Sequence, residues 1–347
     1  MKYFIFLAKQ QYLFCCLPHY LPYLFFNLDR RRSIMTGKVC VVGAGAVGLC
    51  TAWQVTEQMK NVSVIVYADK FTNETTSYGA AGIFQPQLHM TKSSIGDLYG
   101  ELCRDSWRFF DSVLRSGQGR NAGISMIDGY QFYEEEMPEE NEYYKDFVYH
   151  FGEISPKSCT FLPDTSKIVQ AFRYTTLMIE SRRFLPFMMQ KLRQRGVLFQ
   201  RRHINHISDL KSENFDVIFN CAALGNLTLT LDQEMYPARG QVMRVKAPWV
   251  KQFICYGDWV YIIPGQDYCV LGGTFQEGDS NLTVDQNDSK WILDECKKLM
   301  PSLAQAEIDH EWVGLRPMRK SSLRIEAGEL LVNPVDSHRC RIIHNYG

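Results

Sequence analysis

The first strongly patterned stretch of the chain is Lys38–Val42, KVCVV, a β-branched run that ends in GAGAVG. From Leu49 to Met59 the apolar residues then take helical spacing, so strand, tight turn and helix follow one another. A second apolar run, VSVIVYAD at Val62–Asp69, completes a β-α-β unit. Strands without polar alternation belong to a parallel sheet covered on both faces. Helical periodicity recurs over Ile95–Leu114, Ser181–Gln194 and Ser289–Met300, and strand-like runs fall at Ile124–Tyr133, Val197–Gln200 and Phe215–Cys221. Within Ser181–Gln194, the side bearing Phe184, Phe187, Met188 and Leu192 reads as core packing. Beyond Arg239 strands dominate, as RGQVMRVKA, WVYIIPG and YCVLGGTF, with ELLVNP and CRIIHNYG at the end. The pattern predicts an α/β fold: a Rossmann-type domain made of discontinuous segments, with a mixed α+β domain interleaved between them.

Composition narrows the partners. Of 347 residues, 38 are basic and 38 acidic, so no long-range field draws in nucleic acid, and a small neutral or zwitterionic ligand fits better. The 11 cysteines are scattered without a CxxC pattern, which suits free thiols in a reducing compartment. No metal spacing joins His203, His206, His310 and His344, and no metal site is expected. The acidic stretch Glu134–Glu142 is broken by Pro138 and reads as a solvated loop. Residues 1–36 differ from the rest. Their apolar run Tyr12–Leu28 is interrupted by Pro18 and Pro22, so it is a poor membrane span and a poor signal peptide, and an unstructured extension is expected. Sequons at Asn61, Asn73, Asn226, Asn281 and Asn287 would matter only on a secretory route.

The chemistry begins at the glycine turn. Gly43, Ala44, Gly45 and Gly48 lie in G-x-G-x-x-G between strand and helix, where absent side chains admit a pyrophosphate to the backbone and the helix N-terminus favours its charge. Asp69, at the end of the second strand, is placed to accept ribose hydroxyls. The run ADKFTNETTSYGAAGIFQPQ, Ala68–Gln87, resembles the signature of the D-amino-acid oxidase and D-aspartate oxidase family. FNCAALG, YPARGQVMRVKAPW, VGLRPMRKSSLRIE and the final HNYG agree with it, so the resemblance runs from Lys38 to Gly347.

That resemblance implies FAD as cofactor, with Asp69 and Lys70 at the adenosine, Thr75, Thr76 and Ser77 at the phosphates, Ala81, Gly82 and Ile83 at the flavin, and Ile204 at the adenine. Ala222 stands where the family has a threonine. The FAD-binding domain would comprise 37–91, 178–234 and 304–347, and the substrate domain 92–177 and 235–303. The implied reaction is oxidative deamination of a D-amino acid by hydride transfer to flavin, with oxygen as acceptor, giving a 2-oxo acid, ammonia and hydrogen peroxide. Arg316 would grip the α-carboxylate, Tyr261 would meet it through its hydroxyl, and Gln85 would border the flavin side of the pocket. Cys255 and Phe275 occupy positions where D-aspartate oxidases carry arginines for a second carboxylate. Neutral D-amino acids are therefore favoured over D-aspartate, unless Arg239, Arg244 or Lys246 supplies the charge. The resemblance also implies a peroxisomal location, otherwise a cytoplasmic one, and allows a homodimer. Family members continue past HNYG into a glycine-rich turn and helix, so two further readings are a non-catalytic, truncated flavin-binding isoform and an unrelated NAD-dependent Rossmann enzyme.

Overall fold

The computed structural model describes residues 37–85, 98–136, 145, 147–333, 335 and 337–347. The extension 1–36, residues 86–97 and 137–142 of the acidic stretch lie outside them. The chain opens with β1 (Gly37–Val42), α1 (Ala46–Gln58) and β2 (Val62–Ala68). Helix α2 (Leu98–Val113), β3 (Ile124–Tyr133), β4 (Tyr149–Ile154) and β5 (Gln170–Ile179) follow, then α3 (Ser181–Gln194), β6 (Leu198–Arg201) and β7 (Val217–Asn220). Next come β8 (Met235–Lys246), β9 (Phe253–Tyr256), β10 (Val260–Pro264), β11 (Cys269–Gly272) and β12 (Gln276–Glu277). The chain continues through α4 (Gln286–Leu299), β13 (Glu307–Arg319), β14 (Arg324–Val332) and β15 (Arg339–Tyr346).

Six strands form one sheet in the order β14-β15-β7-β1-β2-β6. All neighbours are parallel except β14 and β15. Its centre, β1, is buried on both faces. Val39 and Val41 pack with Leu49, Val55, Phe184 and Met188, whereas Cys40 and Val42 pack with Phe215 and Ile218. Each such buried aliphatic side chain contributes about 1.5–3 kcal/mol, which explains why the sequence there shows no alternation. The second sheet has nine strands in the order β12-β8-β11-β10-β9-β3-β5-β4, with β13 along the other side of β8. It is antiparallel apart from the β3 and β9 pair.

One assignment differs from the sequence reading. The segment from 304, grouped above with the cofactor domain, first enters the nine-stranded sheet, because β13 pairs with β8 from Glu307↔Lys246 to Arg319↔Met235. The chain returns to the six-stranded sheet only with β14 and β15. The hydrophobic pattern hides this strand because one of its faces carries Trp312, Gly314 and Arg316 along a cavity.

Candidate functional site

A cavity of about 700 Å³ runs from the carboxyl ends of β1 and β2 to the face of β13. At its centre is the glycine turn. Gly43 has φ 111°, and a Cβ there would stand 2.3 Å from the Cys221 carbonyl oxygen. A Cβ at Gly48 would stand 2.0 Å from the Gly43 oxygen, so glycine alone lets α1 close on the turn. Gly45 caps α1, and the Ser77 hydroxyl accepts the Ala46 N–H at 3.1 Å. Gly43, Ala44, Gly45 and Ser77 thus border the cavity together, with Thr75 and Thr76 beside them. Asp69 and Lys70 border it at the end of β2, and the Asp69 carboxylate lies 3.6 Å from His203 Nδ1. Ile204 does not line the cavity and packs with Tyr67 and Ile207.

The set fits FAD. Amides at a helix N-terminus, a hydroxyl-rich turn and an exposed carboxylate match, in order, the pyrophosphate and the adenosine ribose. Gly43 and Gly48, where a Cβ would strike the backbone carbonyls of Cys221 and Gly43, keep the turn tight against α1, so its amides are placed to meet the phosphates.

Toward the other end, Arg316 lines the cavity although only 8% of it is exposed. Its guanidinium donates to the carbonyl oxygens of Thr274 at 3.1 Å and Arg239 at 3.3 Å. It has no carboxylate partner among the described residues, and burial pulls its pKa below the usual arginine value. A Cβ at Gly240 would stand 2.1 Å from its Nη1, so the glycine of the RGQ motif makes room for the guanidinium. The Phe275 ring centroid is 5.8 Å from Arg316 Cζ, and Trp259 stacks on Phe275 at 5.1 Å.

Tyr261 is buried, with its hydroxyl over Gly272 and Gly273. Burial pushes its pKa up to about 12, which the nearby Arg316 charge only partly offsets, so the phenol is neutral at pH 7. Gln85 is also buried and donates to Gln131 Oε1 at 2.7 Å and to the Tyr174 hydroxyl at 2.9 Å. Its own Oε1 has no hydrogen-bond partner among the described residues. Gln85, Tyr261, Ala81, Gly82 and Ile83 do not border the cavity, and Ile83 makes a bridge to Met178 instead. The structure therefore brings Arg316 together with the glycine turn along this cavity, and the other five lie outside its lining.

The three other cations considered for a second carboxylate are engaged. Arg239 is held by Asp288 at 2.7 Å and Gln241 at 2.8 Å, and Lys246 by Glu307 at 2.7 Å. Arg244 donates to the Gly79 oxygen at 3.1 Å. Arg319 pairs with Asp232 and Arg324 with Glu326, both structural. Three features escaped sequence reasoning: Gly240, Trp312 and the Gln131–Tyr174 pair behind Gln85. Only the RGQ motif hinted at the first. Among the described residues no cluster of three or more metal-ligating groups occurs, and no helix is long and apolar enough to cross a membrane. The nine described cysteines are buried thiols outside any disulfide.

A family model described as DAO, FAD dependent oxidoreductase, matches residues 38–347. The chain is 34% identical to D-aspartate oxidase of Homo sapiens over 90% of its own length and 89% of that protein. It is 31% identical to D-amino acid oxidase of Dugesia ryukyuensis, covering 89% and 91%. Its fold resembles glycine oxidase from Geobacillus kaustophilus, with a TM-score of 0.69 at 15% identity over 90% of this chain and 89% of that one. It also resembles an FAD-bound L-alpha-glycerophosphate oxidase from Mycoplasma pneumoniae, with a TM-score of 0.61 at 16% identity, covering 90% of each. Matched along its length by family model and relatives alike, the chain belongs to the FAD-dependent oxidoreductase family of the D-amino-acid and D-aspartate oxidases, and FAD is its cofactor.

Proposed function

We propose that this protein oxidatively deaminates D-amino acids with neutral side chains. The observation that carries the reading is Arg316: a buried guanidinium on the cavity wall whose described partners are two carbonyl oxygens and no carboxylate. A buried cation without an anion is costly, and a substrate α-carboxylate would supply the missing charge in a planar, two-point contact. FAD, held by the Gly43–Ala46 turn, Ser77 and Asp69, would supply the hydride acceptor and the route of the electrons to oxygen, with hydrogen peroxide as the reduced product. The protein's part is to hold and orient. Arg316, the one of the three expected substrate contacts that borders the cavity, fixes the carboxylate. The imino acid that results hydrolyses to a 2-oxo acid and ammonia, and a peroxide-producing oxidase of this kind suits a peroxisome.

The neutral preference rests on what surrounds Arg316. Phe275 and the buried Cys255 offer no charge, and Arg239, Arg244 and Lys246 each hold another partner. A second reading, acidic substrates, is favoured by the 34% identity to human D-aspartate oxidase. Rates of peroxide formation by the FAD-loaded enzyme with D-alanine, D-methionine and D-aspartate decide between them. A kcat/KM for D-methionine at least tenfold above that for D-aspartate supports the neutral reading; the reverse order overturns it.

A further inference from the structure

Three aromatic side chains border the cavity: Tyr236, Trp312 and Tyr346. The Tyr346 hydroxyl is fixed between Arg324 at 2.8 Å and Asp232 at 2.9 Å. Trp312 is different. Its indole lies where β13 meets the turn Thr76–Gly79, and two glycines make room for it. A Cβ at Gly79 would stand 2.1 Å from Trp312 Cδ2, and one at Gly314 would stand 1.9 Å from Cη2. Gly314 faces Gly240 across the β8 and β13 pair, and Gly240 in turn makes room for Arg316. Both glycines thus serve to let a large side chain lie close to the strands, one an indole and the other a guanidinium.

The position of the indole along the cofactor's path gives it a role. Asp69 would mark the adenosine end and the Gly43–Ala46 turn the pyrophosphate, while Arg316, in the function proposed above, would mark the substrate carboxylate. A ring system bound from the pyrophosphate toward Arg316 would therefore run along the face of β13 that carries Trp312, Gly314 and Arg316. Ala81, Gly82 and Ile83, which the sequence places at the flavin, do not border this cavity, whereas Trp312 does. From this geometry we propose that Trp312 is a positioning residue for the cofactor, its indole forming the wall on which the isoalloxazine ring packs. Flat aromatic systems attract in offset or edge arrangements, and the indole is the widest such surface on the cavity wall. The role rests on the FAD assignment and is independent of which amino acid is oxidised.

The experiment compares FAD with ADP, which keeps the adenosine and pyrophosphate but lacks the ring, on the full chain and on Trp312→Leu and Trp312→Phe. In the wild type, contact with the electron-rich indole should quench flavin emission. Trp312→Leu should bind FAD about tenfold more weakly, a change equivalent to about 1.4 kcal/mol, and should restore emission from the flavin that remains bound. ADP affinity should stay the same, which also reports a folded site. Trp312→Phe, which keeps a ring, should recover most of the FAD affinity. Equal losses for FAD and ADP would make Trp312 merely structural, and unchanged or tighter FAD binding by Trp312→Leu would mean that the indole does not support the ring. Either result overturns the proposal. Should Trp312→Leu fail to fold, Gly79→Ala, which pushes the indole off the turn, must weaken FAD and spare ADP; parallel losses refute it as well.

Discussion

At the scale of single residues, the substrate end of the site depends on an atom that is missing. Gly240 sits against the Arg316 guanidinium, where a Cβ would come within 2.1 Å of Nη1. The neighbouring Arg239 and Gln241 are locked into the Asp288 and Asp285 contacts, so β8 cannot easily shift to make room. Gly240→Ala should therefore displace the guanidinium rather than the strand. The expected outcome is a KM for neutral D-amino acids at least tenfold higher, with FAD content by absorbance unchanged, because Gly240 lies outside the cofactor cradle. A normal KM would mean that the guanidinium has another resting place and that the clamp tolerates it. Arg316 itself was legible in GLRP, but only through the resemblance; as a bare sequence feature it could equally be a surface ion-pair residue. Gly240 was hinted at by RGQ but not legible in its role, since nothing in the motif says which of its three residues lies against Arg316.

At the scale of elements, the helix α4 shows what periodicity reads and what it omits. Apolar spacing predicts its body from Ser289, whereas the helix begins at Gln286, one residue after an N-cap at Asp285. The Asp285 carboxylate accepts the N–H groups of Asn287 at 2.7 Å and Asp288 at 3.2 Å. Its own backbone N–H donates to Gln241 Oε1 at 2.9 Å, and its carbonyl oxygen accepts Gln241 Nε2 at the same distance. The first turn is polar because it caps and docks, so hydrophobic spacing cannot see it. Asp285→Ala should lower unfolding stability by about 1 kcal/mol, read as a lower urea midpoint at unchanged slope. A larger loss would indicate that the docking to β8, not the cap alone, depends on the carboxylate. The same blindness explains β13. The strands β1, β2 and β7 announce themselves because both their faces are buried, while β13 spends one face on the cavity and β4 is nowhere fully buried. What the sequence reader loses is therefore the lining of the site, since residues facing a ligand are freed from the periodicity that a core imposes.

At the scale of the whole molecule, the cavity is assembled from both sheets, and β15 carries one of its walls while lying between β7 and β14. His344, on β15, is buried there, with Asn220 Nδ2 of β7 3.1 Å from its Nδ1. A Cβ at Gly328 of β14 would stand 2.6 Å from its Nε2, so the ring is enclosed on both sides. Burial, reinforced by the Arg324 charge and only partly opposed by Glu326 and Asp232, pulls its pKa from 6.5 down to about 4. The unfolded chain therefore takes up the proton first as the pH falls. Stability from the neutral ring is complete above pH 6.5 and is lost progressively between there and pH 4, by up to about 3 kcal/mol. Carboxylates held low, such as Asp232, give up their contribution only at still lower pH, while Glu180, raised by burial, acts in the opposite sense. Comparing His344→Gln with the wild type isolates the imidazole from both. Urea midpoints at pH 7.5 and pH 5 should fall markedly for the wild type and much less for His344→Gln, even though the variant starts lower because the fit against Asn220 is altered. Parallel falls would place the acid sensitivity elsewhere in the molecule, whereas the expected divergence would make the histidine of HNYG a lock on the strand that carries the end of the cofactor cavity.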